Sequence, residues 1–124
     1  VRWKVVLARE VEWWLNDLAR EDPRSYEQVV LAIDYLADMG PTLGRPMVDR
    51  IKGSTQQNLK ELRPGSSGRS ELRILFIFDP RRAAVLLVAG NKQGNWKSWY
   101  RKAIPLAETR YREYLAEDLA GDGR

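Results

Sequence analysis

Between Asn58 and Ala89 the chain sets three hydrophobic runs around two tight-turn signals, a pattern few folds accommodate. Asn58–Arg63 and Ser70–Phe78 flank Pro64-Gly65-Ser66-Ser67-Gly68, and Asp79-Pro80-Arg81-Arg82 turns the second run into Ala83–Ala89. Proline presets φ, glycine reaches positive φ, and Ser and Asp bond to nearby backbone, so both segments reverse the chain. Connections this short join antiparallel neighbours. A meander of three strands is expected, with alternate side chains on opposite faces.

The rest of the chain must cover that sheet. Trp3–Ala8 (WKVVLA) reads as a short strand. From Arg9 the period changes: Val11, Trp14, Leu15 and Leu18 follow helical spacing, with Glu12, Asp17 and Arg20 opposite. Pro23 disfavours the helical region for Asp22 and so ends this helix. Asp22 can cap a second one, with Pro23 at its first position. Tyr26, Val29, Val30, Ile33, Leu36 and Ala37 form its apolar stripe, which stops at Gly40-Pro41. Thr42–Thr55, with two glycines and a proline, reads as an exposed irregular connection. Beyond Gly90 the chain turns polar (NKQGN), then aromatic and basic (WKSWYRK), and Ile104-Pro105 is expected to open a final helix. The expected fold class is α+β in the order β-α-α-β-β-β-α, a mainly antiparallel twisted sheet with the two N-terminal helices on one face. Residues 1–120 form one domain by length, and 121–124 form a tail expected to fray.

Charge is unevenly spread. Residues 45–102 hold 13 Lys and Arg against 4 Asp and Glu, whereas residues 1–44 hold 5 against 8 and residues 103–124 hold 3 against 5. A basic middle between acidic ends points to one face dedicated to a polyanion. The chain has no cysteine and no histidine. Disulfides and thiolate metal sites are excluded, and the usual near-neutral acid–base is missing. No metal or organic cofactor is expected. The apolar run near the N-terminus is too short for a signal segment or a membrane span, so no membrane association is expected and the cytoplasm is the expected setting.

Hairpin geometry suggests which side chains meet. Centring the first turn on Ser66–Ser67 sets Lys60 opposite Arg73; centring the second on Pro80–Arg81 sets Arg73 opposite Val88, with Lys92 near Arg69. On that register Leu59, Leu72, Ile74, Phe76, Phe78, Val85 and Leu87 pack against the two helices. Lys60, Arg73 and Lys92 collect at one end of the other face. The final helix covers Leu75, Ile77, Ala84 and Leu86 at its other end. Like charges opposed on neighbouring strands repel, and Glu71 is the one carboxylate this register brings near Lys60 and Arg73, so an external anion would relieve the conflict.

Such a site suits RNA phosphodiester chemistry. A 2′-hydroxyl attacks the adjacent phosphorus, Arg neutralises the phosphorane bidentately, and a Lys crowded by cations exchanges protons. Tyr100 can orient the hydroxyl or stack on a base. Trp96 and Trp99 read as packing of the last loop against the sheet.

The stretch LKELRPGSSGRSELRILFIFDPRRAAVLLVAGNKQGNWKSWYRKAIPLAETRYREYL, together with the two-helix start and the GPTLGRP connection, resembles the phage-derived, HigB-like branch of the RelE/ParE toxin superfamily. The resemblance implies a compact α+β toxin that cleaves mRNA on the ribosome and is neutralised by a cognate antitoxin, usually a helix-turn-helix protein. It implies catalytic roles for Arg73, on the scissile phosphate, and for Lys60, Lys92 and Tyr100. Arg63 matches a basic position of the preceding strand, and Arg69, Lys97, Arg101 and Lys102 are further candidates for RNA contact. The superfamily also leaves open a gyrase-poisoning toxin of the ParE type, or a catalytically weak toxin acting through antitoxin binding. The last strand, Ala83–Ala89, offers no arginine.

Overall fold

The computed structural model describes residues 2–122, with side chains described through residue 117. In chain order the elements are β1 (Lys4–Leu7), α1 (Arg9–Glu21), α2 (Pro23–Met39), a 3-10 turn (Gly40–Thr42), β2 (Val48–Arg50), β3 (Lys60–Leu62), β4 (Leu72–Asp79), β5 (Ala83–Asn91) and α3 (Trp96–Asp122). The five strands make one sheet in the order β1-β5-β4-β3-β2. β1 runs parallel to β5, and every other pairing is antiparallel.

The α+β class and the two N-terminal helices on one sheet face agree with the sequence reading, and local chemistry explains the helix boundaries. The Asp22 carboxylate accepts from the Ser25 N–H at 3.2 Å and caps α2, with Pro23 at its first position. Gly40 closes α2 at a φ of 57°, a conformation open to glycine. A Cβ there would lie 2.3 Å from the indole nitrogen of Trp3, so this glycine also lets the N-terminal segment approach. The core stripe of α2 is narrower than expected: Val29, Ala32, Leu36 and Ala37 are buried, while Val30 and Ile33 are half-buried.

The connection read as irregular contains a strand. Val48–Arg50 pairs with β3, Arg63 N–H donates to the Met47 carbonyl at 2.8 Å, and Ile51 N–H donates to that of Leu59 at 3.0 Å. Short flanks rich in glycine and proline hid it. The last helix begins at Trp96, eight residues before the expected Ile104, and holds Pro105 in its interior. Proline removes the hydrogen bond to the Arg101 carbonyl, a loss the packed helix accommodates. Residues 123 and 124, half of the tail expected to fray, lie outside the described residues; α3 is described to Asp122.

The registers also differ from expectation. Lys60 lies opposite Phe76, not Arg73, because the β3–β4 connection shifts the pairing by an odd number of residues. An odd shift exchanges the faces of a strand. In the second hairpin Asp79 pairs with Ala83, leaving a three-residue loop in which Arg82 takes a φ of 65°. A type I turn followed by a left-handed residue builds such loops. A bulge follows, since Leu75 pairs with Val88 but Phe76 with Leu86. Arg73 therefore sits opposite Gly90.

Two cores result. Against α1 and α2 lie Leu62, Leu72, Ile74, Phe76, Ala84 and Leu86, packed on Val11, Val29 and Leu36. Against α3 lie Leu59, Leu75, Ile77, Val85, Leu87 and Val88, packed on Ala103, Ala107 and Tyr111. The β4 assignments stand as expected from the sequence. Those of Leu59 and of the β5 residues Ala84 to Leu87 are exchanged, as the shifted register and three-residue loop require. Among the described residues, no helix is long and apolar enough to cross a membrane.

Candidate functional site

Alternation along β3 and its extension sends Glu61 and Arg63 to the α3 side of the sheet, and Lys60 and Leu62 to the other. Lys60 accordingly sits with its ammonium 5.3 Å from the centre of the Phe78 ring. Phe78 packs edge-on to Phe76 and Trp3, at the rim of the two-helix core. The structure thus removes Lys60 from the company of Arg73. Its place is taken by a carboxylate.

Glu61 is 4% exposed and is the centre of the arrangement. Its Oε1 accepts from the Tyr100 hydroxyl at 2.5 Å. Its Oε2 accepts from Arg63, at 2.9 Å from one terminal nitrogen and 3.2 Å from Nε. Arg73 Nε lies 3.7 Å from Oε1 and, though buried, has no hydrogen-bond partner among the described residues. The same guanidinium donates to the Leu72 carbonyl at 2.7 Å. A buried carboxylate needs partners to remain charged, and here two guanidiniums and a phenol surround it. The conflict expected from opposed cations does not arise, because the acid is internal. Its signal was present in Glu61-Leu62-Arg63, where i and i+2 share a strand face; only the register hid which face.

Three elements hold this cluster. β2 contributes Asp49, whose Oδ2 accepts from Arg63 at 3.1 Å. The Arg50 N–H bonded to Asp49 lowers the pKa of that carboxyl, and nearby Arg45 and Arg63 act in the same direction, against burial. Burial opposes the charge on Arg63, but hydrogen bonding and attraction to Glu61, with Asp49, win and raise its pKa. β4 contributes Arg73, and the first turns of α3 contribute Tyr100. Burial, then the hydrogen bond to Glu61, raise the pKa of Tyr100 well above the ordinary phenol value. Tyr100 is therefore a persistent donor.

α3 can come this close because Gly90 faces it. A Cβ at Gly90 would stand 2.5 Å from Trp99 Nε1, so Trp99 lies against bare backbone and meets Tyr100 edge-on at 5.0 Å between centroids. Trp99 packs as the sequence suggested, whereas Trp96 is 54% exposed. The opposite wall is anchored through Glu108 on α3, which accepts from the Ser54 hydroxyl at 2.8 Å and from Thr55 N–H at 2.5 Å. Those bonds, Thr55 foremost, lower the pKa of Glu108.

Between these walls runs an open groove of about 650 Å³, lined by Arg50, Ile51, Lys52, Glu61, Arg63, Glu71, Lys92, Trp96, Tyr100 and Ile104. Four cations against two carboxylates give it a net positive lining. Lys92 belongs to it, its ammonium 5.7 Å from the centre of the Tyr100 ring. Lys97 and Arg101 line an adjoining cavity of about 280 Å³ that shares Tyr100 and Ile104 with the groove. Two candidates fall elsewhere. Lys102 lines a separate cavity of about 330 Å³ beside Asn91 and Trp99. Arg69 is exposed on the β3–β4 turn, which Ser67 ties to the α1–α2 junction through Ser25 and Asp22 at 2.8–2.9 Å.

The fold that frames this groove is a small sheet with a helical hairpin on one face and one long helix on the other. The backbone superposes on a mutant of the E. coli toxin RelE in the free state with a TM-score of 0.59, covering 85% of this chain and 97% of that one at 10% identity, a likeness of fold. The phage derived protein Gp49-like family matches residues 14–112. Two Mycobacterium tuberculosis proteins are similar over 117 residues, 94% of this chain: "Putative toxin HigB2" at 50% identity and "Putative toxin HigB3" at 48%. The chain spans 97% of the second relative and 56% of the first. The chain belongs to this phage-derived Gp49-like family, together with the HigB-like toxins it matches along most of its length.

Proposed function

We propose that the protein is the toxin of a toxin–antitoxin pair and acts as a ribosome-dependent endoribonuclease, working in the cytoplasm and held in check by a cognate antitoxin of helix-turn-helix type. The observation that carries the reading is the buried Glu61 carboxylate, which lines a basic groove with Arg63 and Tyr100 and has the Arg73 guanidinium 3.7 Å away beside it. A scissile phosphate entering the groove competes with Glu61 for the guanidiniums. Arg73, whose Nε has no hydrogen-bond partner among the described residues, turns to the phosphate and neutralises its non-bridging oxygens as the phosphorane forms. The released Glu61 oxygen accepts the proton of the RNA 2′-hydroxyl. The 2′-oxygen bonds to phosphorus, the bond from phosphorus to the 5′-oxygen breaks, and a 2′,3′-cyclic phosphate remains. Lys92 supplies the proton to the departing 5′-oxygen. Tyr100 stays protonated and orients Glu61 through its hydroxyl.

The test is induction in bacteria followed by mapping of mRNA 5′ ends, with and without translation inhibited. Cuts inside translated codons that vanish when ribosomes are stopped are expected. Intact mRNA accompanied by DNA damage would replace this reading with gyrase poisoning.

A further inference from the structure

Trp96 does something the rest of the site does not explain. It opens α3, is 54% exposed, and borders the same groove as Lys92, Arg63 and Tyr100. Large aromatics cover apolar surface when they can. Trp14 and Trp99 pack on the two cores and Trp3 on Phe78, whereas Trp96, like Trp13 on α1, leaves more than half of its surface to solvent. Trp96 instead has Lys97 beside it, its ammonium 5.6 Å from the ring centre. Ile51 and Ile104 bring apolar surface to the same groove, while Arg50, Lys52 and Lys92 bring charge. Flat apolar faces interleaved with cations match a nucleotide strand, which offers a base and a phosphate at each step. An acidic peptide fits less well, because it offers charge but no succession of flat faces for Trp96, Ile51 and Ile104.

We propose that this end of the groove is a base-binding subsite. The exposed ring of Trp96 stacks on a nucleobase next to the cleaved phosphate, with Lys52 and Lys97 neutralising the flanking phosphates. The subsite rests on the nuclease reading above and adds to it a determinant of which bases flank the cut. The walls are pre-set by the Glu108 bonds to Ser54 and Thr55 and by the seat of Trp99 on Gly90, so the strand meets a formed groove.

The test uses Trp96→Phe and Trp96→Ala, with folding checked by circular dichroism. A short RNA carrying a 2′-deoxy sugar at the cut should quench wild-type tryptophan fluorescence. Because the chain has five tryptophans, the quench is compared with that of Trp96→Phe, where it should largely vanish. In 5′-end maps Trp96→Ala should cleave on the order of tenfold less, the scale of one lost stacking contact, and lose its preference for flanking bases. Trp96→Phe should restore most of both. Wild-type rate and an unchanged base profile in Trp96→Ala would overturn the subsite while leaving the nuclease intact, as would a fall in rate that Phe does not rescue. Unchanged cleavage with weakened antitoxin binding would assign Trp96 to a protein contact and overturn it too. If the wild type left mRNA intact, both readings would fall together.

Discussion

The two faces of the sheet are built from the same strands and do opposite work. β4 sends Ile74 and Phe76, both fully buried, to the α1–α2 side, and Arg73 with Leu75 and Ile77 to the α3 side. The first face is apolar at its centre: aliphatic and aromatic side chains pack against two helices, and Lys60 rests its ammonium on a ring at the edge. The second is apolar where α3 covers it and charged where the helix begins, with a groove at the junction. A helix that covers part of a face leaves a boundary at which polar groups are half-desolvated. There electrostatics are strong and a ligand can still enter. On the proposed function, the contrast divides stability from chemistry by strand parity.

The largest expected effect lies on the face covered by α1 and α2. Phe76→Ala should cost about 3–5 kcal/mol, as truncation of large core aromatics does, measured by urea unfolding. If the loss were under about 1 kcal/mol, the two-helix core would not be the main support of the fold. Next comes the other face. Arg73→Ala should lower cleavage by at least about a hundredfold, equal to roughly 3 kcal/mol of transition-state stabilisation. Its unfolding midpoint should fall less than that of Phe76→Ala, because Arg63 and Tyr100 still hold Glu61. Arg73→Lys should rescue poorly, since a point charge cannot replace a planar fork of donors. Retained cleavage in Arg73→Ala would detach the chemistry from this face.

A smaller effect separates the faces by pH. The pKa of Tyr100 is raised on folding, so between the ordinary phenol value near 10 and the folded value the unfolded chain binds fewer protons. Its contribution to stability is complete below about pH 10 and is lost as pH rises through that range. Tyr100→Phe should flatten the alkaline fall in midpoint, although Tyr111 and Tyr114, also raised by burial and by Asp79, keep part of it. An identical alkaline profile in Tyr100→Phe would mean that burial and the bond to Glu61 do not hold Tyr100 protonated in the folded chain. The smallest effect is ionic. Binding to RNA or ribosomes should weaken with salt at a log–log slope of about −0.7 per phosphate contacted, and a flat response would point to a protein target.

Much of the fold was legible because each boundary has a local cause: the Asp22-Pro23 start, the Gly40 stop, the turn residues between strands. What was not legible depends on distance along the chain. The β2 strand exists because β3 offers it a partner, and no period in three residues announces that. The first turn of α3 seats Trp99 on Gly90, a contact between elements that no local pattern announces. The site shows the same division. Arg63, Arg73, Lys92 and Tyr100 could be named from residue type and spacing, and they do gather. Lys60 and Glu61 were exchanged by one parity error, since an odd slip in β3 register turns both side chains over. Burial at 4% distinguishes Glu61 from an ordinary strand glutamate, and burial is a property of the assembled sheet.

The most direct measurement compares the two neighbours on β3. Single-turnover cleavage of mRNA on programmed ribosomes should be followed for wild type, Glu61→Gln and Lys60→Ala, each confirmed as folded. Glu61→Gln keeps the shape but loses the proton acceptor, so its rate should fall by about a hundredfold or more. Lys60→Ala should stay within about threefold of wild type, an effect below 1 kcal/mol. The reverse pattern, with Glu61→Gln active and Lys60→Ala dead, would contradict the assignment of the chemistry to the α3 face.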